Sequence, residues 1–386
     1  MAFIRNVRFF IWLAFVQFLR LFSRIYKTNR NEQKKILIVF INAIGDFILF
    51  SSVLPIIRDL YTGYDIELIG FNRWTDLAER THVFSSIIEF ERDKFLKSIF
   101  YRFIFLLKIS KNRYNIVINP SYSRMWIGDL IVATVKGNEK IGYDGDINNL
   151  TRFEKKLGDR IYDFLIKYDL PNSKRVKEIE VIKNFVNSLG AKAESIHPRV
   201  WLTAKDRSNA KKLLRQMSVT PFDKYTVIVP GAASEKRIWN SRNYIPIIKW
   251  LNHHNYKVLF CGSKNDSRYF EDIKREKVNF IDLFGKTSLP VLAAIIEKSS
   301  LYIGTETGPL QMATAFKVPS ICIMGGGHFK RFYPYIEDKK YKAVYHKMDC
   351  FYCNWKCIYD KIVCIEEIRP QQVLDELELM KEEEII

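Results

Sequence analysis

Residues 299–327 read SSLYIGTETGPLQMATAFKVPSICIMGGG, and their order decides the fold class. Leu301–Gly304 is a short apolar run of strand length. The loop Gly304-Thr305-Glu306-Thr307-Gly308-Pro309 follows, and the apolar positions then take helical spacing at Leu310, Ala313 and Phe316. Pro319–Met324 is a second buried-strand run, stopped by Gly325-Gly326-Gly327. Strand, loop, short helix and strand in this order is the repeating unit of a parallel sheet. A Gly-Thr-rich loop that opens a helix points free backbone N–H groups, and the positive end of the helix dipole, at its occupant. That setting suits a diphosphate. Glu306 adds a carboxylate suited to sugar or ribose hydroxyls. The plainer alternative is a helix start at which Thr307 and Glu306 act only as caps.

Towards the N-terminus the alternation continues. Strand-like runs at Tyr225–Pro230, Tyr256–Cys261 and Phe280–Leu283 are separated by helical patterns at Arg242–Asn252, Asp266–Arg275 and Leu289–Lys298. An earlier set of strands is expected at Ile36–Ile41, Ile66–Gly70, Ser86–Phe90 and Asn115–Asn119. Helical spacing runs from Phe47 to Leu60 and again between Phe95 and Leu107. Residues 151–190 read as helical and highly charged, and 188–203 as irregular. These patterns predict an α/β protein with two doubly wound halves and a boundary near residues 195–222. The expected organisation is an amphipathic segment at 1–30, a first domain at 34–200, a second at 222–365 and a C-terminal helix at 366–386.

Composition narrows the function classes. A chain of 386 residues with 48% hydrophobic and 27% charged residues is globular and large enough for two cores. The net charge of +18 favours anionic partners. The basic residues are dispersed and no nucleic-acid motif accompanies them, so a membrane face and phosphorylated ligands rank above nucleic acid. Residues 1–30 carry six basic residues and no acid, and the apolar run Phe9–Val16 is far shorter than a bilayer needs. No signal-peptide cleavage pattern follows. A helix here sets Arg20, Arg24 and Lys27 largely opposite Ile11, Phe15, Phe18, Phe22 and Ile25, while Phe9, Leu13 and Val16 blur the separation. The expectation is a helix lying in the interface of an anionic membrane, dispensable to the folded core. The alternative is a helix packed on the protein.

Ligands of doubly wound sheets bind at the carboxyl ends of the strands. Three loops hold that position: Asn42–Asp46, Gly231–Asn240 and Gly304–Pro309. The loop VPGAASEKRIWN (229–240) offers Gly231, Ala232 and Ala233 for close backbone approach, then Lys236 and Arg237 to neutralise a diphosphate. Glu235 can pair with one of these cations as surface decoration.

Together the three loops resemble glycosyltransferase family 9, the bacterial heptosyltransferases of lipopolysaccharide core. The matching segments are KKILIVFINAIGDFILFSSVLP, IVPGAASEKRIW, GKTSL at 285–289 and GTETGP, with weaker likeness at NIVINPSYSR and EKIGYDGD. They fall in the family's order over roughly residues 34–380. The resemblance implies the GT-B fold, two Rossmann-like doubly wound domains facing a cleft. The first domain would bind the acceptor and the second the donor. It implies an inverting glycosyltransferase that moves a sugar, heptose favoured, from a nucleotide-diphosphate donor to a lipopolysaccharide-core or other cell-surface glycan.

By position, the resemblance makes Asp46 the general base. It places Arg237 or Lys236 at the donor diphosphate, and Glu306, Thr307, Gly308, Pro309 and Gln311 in the donor loop. The implied partners are ADP-heptose, an anionic glycolipid or glycan acceptor and an anionic membrane surface. The implied location is the inner face of the bacterial inner membrane, peripheral and cytoplasmic, without nucleic acid. Three departures touch donor contacts: Glu306 stands where the family usually has Asp, Gln311 where it often has His, and Gly262-Ser263-Lys264 where an acid meets the ribose. Asp266 is the nearest acid there. A sugar-nucleotide epimerase of the same fold and a non-catalytic membrane-bound sensor are the alternatives. The first is disfavoured by the N-terminal segment and the second by the retained Asp46.

Cys350, Cys353, Cys357 and Cys364 fall within fifteen residues, a donor set for a structural zinc, with iron as the alternative. Their place beyond both ligand loops predicts a structural role. Asp144-Gly145-Asp146 reads as a turn rather than a metal site, and no catalytic metal is expected.

Overall fold

The protein is described here by a computed structural model covering residues 7, 9–16, 34–168 and 177–386. It forms two compact units. The first comprises the described residues within 1–43, 53–174 and 180–196, and the second those within 44–52, 175–179 and 197–386.

The first unit holds a sheet of β1 (Lys35–Phe40), β2 (Asp65–Phe71), β3 (Ser86–Phe90), β4 (Arg113–Asn119), β5 (Lys136–Tyr143) and β6 (Phe164–Ile166). Its order is β3-β2-β1-β4-β5-β6, and every pairing is parallel. The second unit holds β7 (Tyr225–Val229), β8 (Lys257–Gly262), β9 (Ile281–Phe284), β10 (Leu301–Thr305), β11 (Ser320–Ile323) and β12 (Tyr341–Val344). Its order is β12-β11-β10-β7-β8-β9, again all parallel. Counted within its own unit, each sheet runs 3-2-1-4-5-6, the dinucleotide-binding order. The chain reverses direction across the sheet between the first and fourth strands. In the second unit these are β7 and β10, whose every residue is buried. Strands covered on both faces read as continuous apolar runs, which is why they were visible in the sequence.

Three strands escape that signal. β5 is KGNEKIGY, polar over its first half, and its buried Lys140 is accommodated by donating to the Val132 and Val135 carbonyls at 2.6 and 3.0 Å. β6 and β12 are short edge strands. The helix expected over 151–190 is two helices, Arg152–Asp159 and Glu178–Ser188, with β6 between them and residues 169–176 outside the described set. The helix expected from Phe47 to Leu60 divides into Ile44–Phe50, a 3₁₀ turn Ser51–Val53 and Leu54–Leu60. Pro55 lies in the first turn of the last piece, where its missing N–H costs nothing.

Of the amphipathic segment expected at 1–30, residues 1–6, 8 and 17–30 lie outside the described residues, and with them Arg20, Arg24 and Lys27. Residues 9–16 are helical. Phe9 and Val16 are buried in the core of the first unit, so this stretch belongs to the fold and its removal strips core side chains. The blurred amphipathicity now has a cause. Phe9 and Val16 point inward, while Phe10 and Ile11 stay more than half exposed. Among the described residues no helix is long and apolar enough to cross a membrane.

Candidate active site

Both second-unit loops singled out in the sequence leave the sheet at its switch point. Val229, the last residue of β7, pairs with Gly304 in β10, and the Thr305 hydroxyl donates to the Gly231 carbonyl at 3.0 Å. This bond ties the start of the 230–240 loop to the start of the 306–308 loop.

Beyond Thr305 the chain enters the helix Gly308–Ala315. Thr307 is its N-cap, yet makes no side-chain capping hydrogen bond; its hydroxyl donates instead to the Thr305 carbonyl at 3.3 Å. The Glu306 carboxyl is buried, and its Oε1 has no hydrogen-bond partner among the described residues. Neither side chain serves as a cap, so the plainer reading of this loop fails.

The helix Ile44–Phe50 starts against the same point. A methyl group on Gly308 would stand 2.5 Å from Ile44 Cγ2, and one on Gly45 would stand 3.6 Å from the Gly308 nitrogen. Two helix N-termini therefore meet through paired glycines, a spacing no larger residue permits at Gly308. Asp46 sits in the first turn of one helix and Glu306 just ahead of the other.

These two acids share a field. Burial pushes the Glu306 carboxyl up to about 8; the charges of Arg237 and Arg331 oppose the shift, and that of Asp46 adds to it. Two carboxyls at one place do not both ionise cheaply, and burial assigns the proton to Glu306. Because its folded-state value lies above the ordinary 4.5, Glu306 contributes stability that is complete below 4.5 and lost as pH rises through about 8. The same titration acts on an anionic ligand. Diphosphate affinity, followed by calorimetry, is expected to fall as pH rises through about 8 in the native protein and to stay flat in Glu306→Gln. Equal pH profiles for the two proteins would remove Glu306 from the site.

Arg237 lies beside this pair and donates from Nη1 to the Glu306 carbonyl at 3.1 Å. Lys236 is exposed and donates to the Trp355 carbonyl at 3.0 Å. Glu235 pairs with neither: it accepts from Arg268 at 3.1 Å and from the Tyr269 hydroxyl at 2.6 Å. Trp239, which set the register of the loop, is fully buried and donates to the Ile368 carbonyl at 2.9 Å. Gly231 is buried, Ala232 half-buried and Ala233 exposed. Pro309 falls in the first turn of its helix. Gln311 is buried, donates to the Phe332 carbonyl at 3.0 Å, and leaves its Oε1 without a partner among the described residues. Asp266 sets its carboxylate against Gly231, where a methyl group would stand 2.5 Å from its Cγ. One carboxylate oxygen accepts from the Ser263 amide and hydroxyl at 2.7 and 2.8 Å, capping the turn Lys264–Phe270.

One residue was missed. Arg331 reaches the field of Glu306 from the loop after β11 and is clamped by Glu178, with Nη2 at 2.7 Å. Its only sequence signal was a basic residue after a glycine-rich strand end.

The cysteine loop also reaches this site, against the expectation of a remote staple. Cys350, Cys353, Cys357 and Cys364 are free thiols that line one small cavity of about 10 Å³, together with Trp355 and Gly326. The Cys364 sulfur accepts from the Gly326 amide at 3.4 Å. Thiols are soft donors, but among the described residues no group of three or more His, Cys, Asp or Glu is gathered closely enough to hold an ion. Trp355 sits inside this loop. Its ring packs on Gly327, where a methyl group would be 2.4 Å away, and lies 5.9 Å from the Arg237 guanidinium. By contrast, Asp144 pairs with Lys155, and Asp146 accepts from Ser123 at 2.7 Å and from the Asn148 side chain at 2.7 Å, in keeping with a turn.

The sequence profile of glycosyltransferase family 9 (heptosyltransferase) matches residues 105–358. Lipopolysaccharide heptosyltransferase 3 of Escherichia coli K12 is 32% identical over 133 residues, 33% of this chain and 39% of that protein. Lipooligosaccharide heptosyltransferase 2 of Campylobacter jejuni serotype O:6 is 22% identical over 58% of this chain and 72% of its own length. Among solved structures, the E. coli ADP-heptose lipopolysaccharide heptosyltransferase II superposes with a TM-score of 0.66 at 16% identity, covering 91% of this chain and 100% of the other. The iron-containing dodecameric glycosyltransferase TibC of enterotoxigenic E. coli does so with a TM-score of 0.52 at 15% identity, covering 91% of this chain and 76% of the other. Two parallel doubly wound units of this order are the GT-B fold. With the profile spanning well over half of its length, the chain belongs to glycosyltransferase family 9.

Proposed function

We propose that this protein is an inverting glycosyltransferase that moves a sugar, heptose favoured, from an ADP-linked donor to a lipopolysaccharide-core or other cell-surface glycan. It would work at the cytoplasmic face of the inner membrane as a peripheral protein. The observation that carries the reading is the meeting of two helix N-termini at Gly45 and Gly308, with Asp46, Arg237 and a buried Glu306 around it. In this reading the diphosphate takes the N–H groups of the 306–308 loop and the two loop cations. Asp46 removes the proton from the acceptor hydroxyl, whose oxygen attacks the anomeric carbon. The bond from that carbon to the diphosphate oxygen breaks, and its electron pair leaves with the diphosphate. A single displacement inverts the anomeric centre. Arg237, Lys236 and the helix N-terminus stabilise the charge gained by the leaving group. Glu306, holding its proton, can face the donor without repelling it.

The four thiols would hold one structural metal ion. Iron moves ahead of zinc as its identity, on the likeness to the iron-containing TibC. Its part would be to shape the loop around Trp355, not to enter the transfer.

The test is incubation with ADP-heptose and a core-glycan acceptor, following ADP release and the anomeric configuration of the product. Isomerised sugar from donor alone would instead indicate an epimerase. Arg237→Ala is expected to weaken ADP binding by about 1.5–3 kcal/mol, the worth of a charged hydrogen bond. Lys236→Ala should have a smaller effect, because its ammonium is exposed and shared with the Trp355 carbonyl. Calorimetry that finds ADP affinity unchanged in both would misplace the donor site.

A further inference from the structure

The helix Ile99–Ser110 is apolar on two faces. Phe105, Leu106 and Ile109 are buried in the core of the first unit. On the other side Ile99 and Phe100 are 72% and 73% exposed, and Phe103 and Ile104 are 40% and 47% exposed. A helix that is hydrophobic all round belongs in a core or against lipid, and only half of this one is in the core. The exposed face is not alone. The helix at residues 9–16 lies beside it, with Phe15 and Phe103 ring centres 5.5 Å apart and the Arg102 guanidinium 4.9 Å from the Trp12 ring. Ile11, Trp12, Phe15, Ile99, Phe100 and Phe103 line one open apolar groove of about 490 Å³.

Charge around this surface is predominantly positive, although Lys94 is paired with Glu91 at 2.8 Å. Residues 92–113 contain seven Lys or Arg and a single acid, Asp93, which pairs with Arg73 at 3.5 Å. Lys97, Lys108, Lys111 and Arg113 are exposed. Lys108 extends the row of Phe100 and Ile104 at the i+4 spacing, the position from which a long side chain keeps its charge in the headgroup layer while its stem covers apolar surface. In sequence, residues 1–30 carry six basic residues and no acid, all six of them outside the described residues.

We infer that the paired helices 9–16 and 99–110 form one membrane-docking surface, which seats Ile99, Phe100, Phe103 and Ile11 at the headgroup boundary of an anionic bilayer. This deepens the peripheral-membrane reading above and rests on it, but moves the contact from the N-terminal segment alone to a two-helix platform of the folded unit. The large exposed apolar patch needs an apolar partner. The basic rim selects an anionic one. A second copy of this chain is a poorer occupant, because a shared two-fold face sets basic rim against basic rim.

The test is co-sedimentation with phosphatidylcholine vesicles, with and without phosphatidylglycerol. The full chain is compared with Ile99→Asp/Phe100→Asp and with Lys97→Glu/Lys108→Glu. All four side chains are exposed, so circular dichroism and melting temperature should not change. The native chain is expected to bind the anionic vesicles, the apolar-face variant to lose at least about tenfold in affinity for them, and the charge variant to lose the preference for phosphatidylglycerol. Native binding that survives undiminished in Ile99→Asp/Phe100→Asp overturns the platform and leaves the peripheral reading standing. A native chain that binds neither vesicle overturns both. A native dimer that the apolar-face variant dissociates in sedimentation velocity would make the surface a self-interface and overturn the proposal.

Discussion

Asp46→Asn is expected to lower turnover by about 10²–10⁴-fold while ADP affinity is kept or raised. Asn preserves shape and removes the group that accepts the acceptor's proton, and a positioned base contributes about that range. Affinity should not suffer, since a negative charge leaves the neighbourhood of a diphosphate. The substitution also makes a second, independent prediction. The Asp46 charge helps to hold Glu306 above its ordinary range. Its removal should move the pH break in ADP affinity to lower pH. Stopped turnover with a shifted break identifies Asp46 as a base in the shared field of the donor loop. Activity within about threefold of native would leave it a first-turn residue of the helix Ile44–Phe50 with no part in proton transfer.

What could be read in advance follows from burial. β7, β10 and β11 are covered on both faces, so they spell themselves as unbroken apolar runs, and the loops at their ends could be placed without a structure. Glu306 and Arg237 were legible because they lie on those loops. β5 was not, because its first half is partly exposed and polar, and its buried Lys140 donates to the Val132 and Val135 carbonyls at the end of the preceding helix. Arg331 and Trp355 join the site through tertiary packing alone, from segments whose local pattern is that of ordinary loops. Asp266 could be named only as the nearest acid in sequence; the fold sets its carboxylate against Gly231 while one of its oxygens accepts from the Ser263 amide and hydroxyl. The helix at 9–16 shows the limit of a periodicity argument. Two apolar faces, one inward and one outward, give the same smeared pattern as a poor amphipath.

Cys353→Ser is expected to abolish metal binding and also to weaken the donor site, which a remote staple would not do. Metal held by four thiolates contributes an apparent ~10–16 kcal/mol, and in a loop that lacks regular structure this is folding free energy of the loop itself. Such an ion would offset local strain in the loop. Tyr352, Asn354 and Trp355 all adopt positive φ, at 70°, 49° and 58°, a conformation that costs about 1–2 kcal/mol for a residue such as Tyr or Trp and less for Asn. Burial also raises the Cys350 and Cys364 thiols above their ordinary values, so the cluster favours thiolates only with a cation among them. Without the ion the strained turn has less to hold it, and Trp355 goes with it. The Trp355 carbonyl then no longer accepts from Lys236, and its ring no longer lies against Arg237. The expected result is about one metal ion per native chain by elemental analysis, none in Cys353→Ser, a lower melting temperature, and weaker ADP binding at a temperature where both proteins remain folded. Iron is distinguished from zinc by the visible absorption of an iron–thiolate site. Lost metal with undiminished ADP affinity would return the loop to a purely structural role. A native protein that is metal-free, with all four thiols open to a thiol reagent, would remove the metal altogether and leave the contacts of Trp355 to be held by packing of Phe351 and Trp355 on Gly326 and Gly327.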